Sequence, residues 1–545
     1  MITKLIRYVN TLRYLRPVQF YGRLWQQLNP AKPQCDPAPQ YHLPLGLWVN
    51  SAERPVSRLS ADSFCFLHTV GQLRCAADWN NPVQDKLWLY NLHYFDDLNA
   101  LNASSRLAWH RALIVRWIAE NPPGVGNGWE PYPTSLRLVN WFKWAVAGNN
   151  LEPSWIESLA VQTRWLQRHI EWHLLGNHLF VNAKALVFAG LFFKGNEAAA
   201  WLAQGLKILG REVLEQVLPD GGHFELSPMY HAIILEDLLD LLNAAKAWPG
   251  QVPEAQVLQW REVAGRMLPW LEGLSHPDGQ LAFFNDAALG IAPNYAVLLA
   301  YARRLGLAVS SIEPRSGCTH FADSGYVRLQ QGAAVALLDV ARIGPDYLPG
   351  HAHADTLSFE LSLFGQRVVV NSGTYCYGLG AERLRQRGTS AHSTVEVNSA
   401  DSSEVWGSFR VARRARPFGL ALNEGEQALT VTCAHDGYQR LKGKPVHRRY
   451  WRLDEFALQV VDVIEGDFST AVARYYLHPS VSVFGKNQAG QLQLPDGRLV
   501  HWSVSGGVAR VACAVWHPEF GLSIQCHRID VLFENPEICF ELTWN

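Results

Sequence analysis

The chain lacks short-spaced cysteine pairs, an excess of either charge, and any long apolar run. Its nine cysteines include no CxxC, so the sequence offers no zinc-ribbon or thioredoxin-type motif, and free thiols in a reducing compartment are the simplest account. Lys and Arg total 48 against 49 Asp and Glu, for a formal charge of −1. Nothing global therefore attracts nucleic acid, and an anionic ligand has to be held by local charge. No run approaches the roughly 20 apolar residues needed to span a bilayer. The opening "MITKLIRYVNTLRYLRPVQFYGRLWQQL" has neither a continuous apolar core nor a small-residue cleavage site, so no signal peptide is read there. The expected location is cytoplasmic, at or near the inner membrane face. The first stretch is itself basic. Lys4, Arg7, Arg13, Arg16, Arg23 and Lys32 precede the first acidic residue, Asp36, and Val18, Tyr21, Trp25 and Leu28 fall at helical spacing. Such a basic arm either contacts an anionic membrane surface or packs its apolar stripe on its own domain.

What is abundant is tryptophan: 21 residues, sixteen of them before residue 310. Trp at this density serves a helical core or a groove that stacks sugar faces. The 545 residues exceed a single core, and the apolar period changes along the chain. From about 103 to 307 it is three to four, in segments such as "SRLAWHRALIVRWIAENPP", "TSLRLVNWFKWAVAG" and "MYHAIILEDLLDLLNAAKAW", which predicts a series of helical hairpins. After Gly317 come short alternating segments such as "TLSFELSLFGQRVVVNSG" and "RRYWRLDEFALQVVDVIEG", the pattern of an antiparallel β-sandwich. The expected organisation is an N-terminal arm and lead-in over 1–80, an (α/α) toroid over 81–315 and an antiparallel β-sandwich over 316–545.

Polar residues cluster at three helix entrances: Trp129, Glu130, Tyr132, Arg137 and Asn140; Asn177 and His178; and Asp220, His223, Glu225, Tyr230 and His231. Helix N-termini favour anions, although Asn and Glu at such places also serve as plain caps. A fourth cluster, "PGHAHADTLSFEL", sets His351, His353 and Asp355 on alternate positions before a strand. A regular strand points all three to one face. Separate roles for them require an irregular entrance, which Gly350 favours.

The segments "GNH", "DGGHFELSPMYH", "GHAHADTLSFEL", "NSGTY" and "RGTSAHSTVEVN" resemble the heparinase II/III-like polysaccharide lyases over roughly residues 80 to 480. The resemblance implies β-elimination next to a uronic acid. Asn177 and His178 would neutralise the substrate carboxylate, and Tyr230 and His351 would be the acid–base pair. Trp129, Glu130, Tyr132, Arg137 and Asn140 would line sugar subsites, and Arg387 or His231 would depress the Tyr230 pKa. It also implies one structural divalent metal, Zn or Ca, at His353, His392 and the position held here by Asn371. The amide of Asn371 is a poorer ligand than a carboxylate, and Asp355 is the candidate replacement or outer partner. No organic cofactor is expected, and the expected partner is an acidic polysaccharide or oligosaccharide. Two alternatives remain open: a glycoside hydrolase drawing on Glu130, Asp220, Glu225 and Asp286, and a non-catalytic glycan-binding or assembly protein on the same scaffold. An ultraviolet-absorbing product separates elimination from hydrolysis.

Overall fold

The computed structural model describes residues 2–28, 32–308 and 316–545. Helix α1 (Ile2–Leu12) and helix α2 (Pro17–Leu28) form the arm, and a hairpin (Ser63–Phe66 with Thr69–Gln72) leads into the helical half. That half consists of α3 (Lys86–Tyr94), α4 (Leu107–Glu120), α5 (Pro131–Val146), α6 (Pro153–Arg168), α7 (Gly176–Phe192), α8 (Asn196–Gln216), α9 (Pro228–Ala247), α10 (Glu254–Gly273) and α11 (Tyr295–Arg304). Helix α4 ends before the Pro122–Pro123 pair. Helix α5 starts four to five residues earlier than a Thr or Ser cap predicts, because Pro131 occupies its first turn, where proline loses no hydrogen bond and its fixed φ fits.

Trp79, Trp117, Trp141, Trp201, Trp260 and Trp270 have no solvent contact. Most of the tryptophan excess thus fills the space between helices rather than a sugar groove. Helix α7 is buried on nearly every side, which explains its uniformly apolar sequence: it is a central helix and has no water-facing stripe.

From Gly317 onward the structure is mainly two antiparallel sheets, with a small hairpin of Val405–Trp406 and Arg410–Val411 and a short helix, Ala381–Arg387. The first runs, in spatial order, Gly507–Trp516, Ile524–Phe533, Ala471–Leu477, Gln366–Val370, Phe359–Leu363, Ala334–Asp339, Tyr326–Gln331 and Gly317–Phe321, with Val395–Val397 also pairing onto Ala471–Leu477. The second orders Pro417–Glu424, Leu429–His435, Val446–Leu453, Ala457–Glu465, Glu537–Trp544, Leu499–Ser505, Ala489–Gln493 and Ser482–Lys486. The fold is therefore the expected helical toroid followed by an antiparallel sandwich. The expected boundary at 315–316 abuts residues 309–315, which lie outside the described residues.

The first sheet is covered on both faces. Phe359–Leu363 is buried at every position, with the second sheet on one side and the helical half on the other. Leu226, Trp270 and Leu274 pack against Phe321, Tyr326, Val335 and Leu337 across that seam. Polar ties reinforce it: His276 Nε2 to Glu360 at 2.8 Å, Arg367 to Asp278 at 2.7 Å, and Asp220 accepting from the Ser324 backbone at 2.7 Å. The chain between α10 and α11 runs along this seam and carries Asp286 into it.

Candidate active site

Residues 349–358 form no regular strand; the strand begins at Phe359. The irregular entrance separates side chains that a period of two would align. His351 faces the cleft between the halves with 14% of its side chain exposed, whereas His353 and Asp355 are buried behind it.

The His351 ring lies 3.9 Å, centroid to centroid, from the Tyr230 ring near the start of α9. Ser227 caps that helix by accepting from the Tyr230 backbone N–H. The Tyr230 hydroxyl is 3.0 Å from the hydroxyl of Tyr377, and Phe409 borders both Tyr377 and His351. Burial, then the neighbouring Tyr377, raises the Tyr230 phenol well above its ordinary pKa. It is therefore a proton donor at neutral pH.

Asp286 organises this cluster. Its carboxylate accepts from His351 Nδ1 at 2.9 Å, from His353 Nε2 at 2.7 Å and from both terminal nitrogens of Arg383. Burial works against its charge, but Arg383 and the two histidines outweigh burial and hold it well below the carboxylate range. With Asp286 on Nδ1, the Nδ1–H tautomer of His351 is favoured, leaving the Nε2 lone pair directed into the cleft. That nitrogen is 3.5 Å from Glu225.

Asn177 and His178 occupy the first turn of α7. Glu225 sits against the same turn, accepting from the Asn177 amide at 3.4 Å on each oxygen. A Cβ on Gly176 (φ +55°) would stand 2.7 Å from the Glu225 carboxylate, so glycine is what admits Glu225 there. The α7 terminus thus already holds a carboxylate of the protein. An incoming anion has to be received by side chains instead. His178 is suited to this: burial disfavours its charge, but Glu171, 3.1 Å away, outweighs burial and holds it above the ordinary imidazole value. The Tyr132 ring lies 4.5 Å from the His178 ring.

The structure brings Asn177, His178, Tyr132, Tyr230 and His351 to one cleft, and it removes several expected residues from it. Trp129 is core, between Trp117 and Trp165. Arg137 is fully buried, lies over the Trp117 ring at 3.8 Å and bonds Gln162. Asn140 bonds the Tyr94 carbonyl and Asp96. All three brace the helix entrance from within and do not offer a sugar-binding surface. Glu130 stays part-exposed, paired with Lys86 and accepting from Tyr90. Neither expected cation reaches the Tyr230 hydroxyl. His231 stacks on Trp270, bonds the Met267 carbonyl and is lowered by burial to about 3, hence uncharged. Arg387 donates to the carbonyls of Ala352, Gly407 and Ser408. Residues that sequence reasoning left out of the site, or gave other roles, are Glu171, Glu225, Asp286, Tyr377 and Arg383.

Behind the cleft, His353, Asp355 and His392 place ligand-capable atoms within 4.8 Å of one another, and His353 Nδ1 and His392 Nε2 face each other at 3.3 Å. Burial keeps both imidazoles neutral, as metal ligands must be. Two nitrogens and a carboxylate suit zinc. Asn371 does not complete this group, because its amide donates to the Phe283 carbonyl and its oxygen accepts from the Ser393 N–H. Asp355 supplies the carboxylate instead.

A helical toroid joined to a two-sheet sandwich, with a Tyr–His cluster at the seam, defines the class. Residues 77–301 match the heparinase II/III N-terminus, and residues 313–545 match the heparinase II/III-like C-terminal family. The chain belongs to the heparinase II/III-like family. It is 27% identical over 457 residues to a heparin-sulfate lyase of Bacteroides stercoris, covering 74% of this chain and 66% of that protein. It is 25% identical over 359 residues to a heparin-sulfate lyase of Pedobacter heparinus, covering 58% and 53%. The matched region is thus less than two thirds of either relative's length. The crystal structure of heparinase III shares the fold, with a TM-score of 0.67 at 19% identity over 83% of this chain and 76% of that one.

Proposed function

We propose that the protein is a polysaccharide lyase that cleaves a uronic-acid-containing glycan by β-elimination. The observation that carries this reading is the close Tyr230–His351 ring contact in the same cleft as a histidine held above its ordinary pKa. The C5 proton of a uronate becomes removable only when the carboxylate charge is countered, and stabilising the charge that develops there contributes most to lowering the barrier. His178 and Asn177 supply that counter-charge and hydrogen bonding. The Asp286 bond fixes the proton of the neutral His351 ring on Nδ1, and Nε2 takes the C5 proton. The carbanion electrons form the C4–C5 double bond as the C4–O bond breaks, and Tyr230 protonates the departing oxygen. The raised phenol pKa supports this division, with Tyr230 as acid and His351 as base. Tyr132 is placed to pack against the sugar at His178.

The carboxylate environments disfavour the hydrolase alternative. Asp286 accepts four hydrogen bonds, Asp220 is bound to Gly222 and Ser324, Glu130 is paired with Lys86, and Glu225 caps α7. A mobile acid and a water-activating base facing one gap would need freer groups.

His353, Asp355 and His392 would hold one divalent ion, which would supply structural cross-linking behind the His351 loop and leave the proton transfers to the side chains above. A membrane surface at the basic arm is the remaining partner in this reading. No described helix is long and apolar enough to cross a membrane, so such a contact is peripheral. The test of function is a panel of uronate polymers followed by ultraviolet absorbance of the unsaturated product. Reducing ends appearing without that absorbance would overturn elimination in favour of hydrolysis.

A further inference from the structure

Of the arm's apolar residues, Val18 packs on the body, but most of the others stay exposed. Leu5, Val9, Leu24, Trp25 and Leu28 keep 64, 57, 55, 64 and 72% of their surface exposed. Spacings of four place Leu5 with Val9 on α1 and Leu24 with Leu28 on α2. Other residues of the two helices and the turn between them hold the arm to the body. Thr11 Oγ1 donates to the Val411 carbonyl and accepts from Trp406 Nε1, Tyr8 stacks edge-on against Trp406, and Arg16 bonds Glu215 at 2.5 Å while lying over the Tyr347 ring. Gln19 donates to the Tyr347 carbonyl. The outward orientation of the exposed apolar side chains is thus a consequence of these specific contacts. Lys4, Arg13 and Arg23 are exposed on the same two helices and the turn between them, and no acidic residue occurs before Asp36.

We infer that α1 and α2 form a docking surface for an anionic lipid bilayer, with the apolar side chains entering the headgroup–acyl boundary and the basic ones contacting lipid phosphates. This deepens the membrane reading of the arm. Exposed apolar area and basic charge on one short amphipathic element are what drive interfacial binding. A second copy of the chain fits less well. A two-fold contact would set this basic face against itself, with no carboxylate on either arm to relieve the repulsion. The location has a further consequence. Helix α1 braces the hairpin of Val405–Trp406 and Arg410–Val411, and Phe409 at its turn borders His351. The anchored arm therefore holds the outer wall of the cleft close to the membrane.

The test is sedimentation of the full chain with vesicles of phosphatidylcholine alone and of phosphatidylcholine with phosphatidylglycerol, at low and high salt. The expected result is binding about tenfold or more tighter to the anionic vesicles, weakened by salt, and lost in L5S/V9S/L24S/W25S with the thermal midpoint nearly unchanged. A second variant, Lys4→Gln with Arg23→Gln, keeps the apolar stripe and should lose most of the preference for anionic vesicles. The inference is overturned if the parent does not sediment with anionic vesicles or binds both kinds equally. It is also overturned if the parent is a dimer in solution that the serine variant dissociates. Binding is read without turnover, so its failure leaves the lyase reading untouched, and failure of the lyase reading leaves vesicle binding untouched.

Discussion

Replacing Asp286 by Asn should cost both stability and turnover, for separable reasons. The carboxylate accepts from four donors: two Arg383 nitrogens, His351 Nδ1 and His353 Nε2. An amide offers one acceptor oxygen and sets its NH2 against donors on the other side. It also leaves the Arg383 guanidinium, which has no solvent contact, without its counter-charge. Breaking a buried pair from one side costs about 3–5 kcal/mol. With roughly 2.1 cal/mol/K of unfolding entropy per residue, ~4 kcal/mol in a unit of about 230 residues lowers Tm by about 8 °C. Turnover should fall about 10²–10⁴-fold, because the base loses both its tautomer and its orientation. The double variant D286N/R383M removes the stranded charge, so it should recover most of the lost Tm and none of the lost rate. The assay pairs calorimetry with product absorbance. If D286N melts like the parent, or D286N/R383M turns over normally, the assignment of Asp286 as the group that positions His351 is refuted. The pH dependence gives a second check. The folded pKa of Asp286 is depressed, so its stabilisation is fully present above its unfolded value near 3.9 and fades as pH falls towards the folded value. The parent should therefore lose stability below about pH 4 more steeply than the double variant.

Tyr230→Phe should reduce kcat about 10²–10⁴-fold with KM nearly unchanged, since only a hydroxyl is removed; retention of rate would take Tyr230 out of the chemistry. Glu171→Gln removes the charge that holds His178 above its ordinary value. A raised imidazole keeps its charge to higher pH, so the alkaline limb of kcat/KM should move to lower pH in this variant, and an unmoved limb would show that His178 does not act as the cation. Elemental analysis of the purified protein should find one divalent ion per chain, and chelation should lower Tm in the parent but not in His392→Ala, because a ligand bound only by the folded state stabilises it by mass action.

The architecture was legible because the apolar period changes from 3.6 to 2 near residue 317, and periodicity reports which face meets a core. The cleft location of His351 and the buried one of His353 were legible too, since one straight strand cannot serve both roles. The subsites were misread for a physical reason. Trp129, Arg137 and Asn140 sit at a helix entrance, which marks a binding site only if the entrance is open, and here α3 and Trp117 close it. Asp286 and Arg383 are 97 residues apart in sequence. Asp286 read only as a spare carboxylate, and Arg383 was given no role. The Glu171–His178 pair was similarly hidden, because its effect depends on a turn that folds Glu171 back over α7 and no local pattern encodes that turn.

The proposed site draws on two halves, and the buried cluster of the helical half also takes in Val370, Tyr476, Trp516 and Phe520 of the sandwich. Tyr230 and His178 come from the helices, His351 and Arg383 from the sandwich, and Asp286 from the connection along the seam. Activity therefore reports the alignment of the halves and not only the integrity of each. Under gentle heating or dilute denaturant, a small shift at the seam is expected to disorganise the Tyr230–His351 pair before helices or sheets melt, so inactivation should precede any change in circular dichroism. The same division lets substitutions far from the cleft tune the rate. Substitution of a seam residue such as Trp270 or Phe321 is then expected to change the rate by shifting His351 against Tyr230.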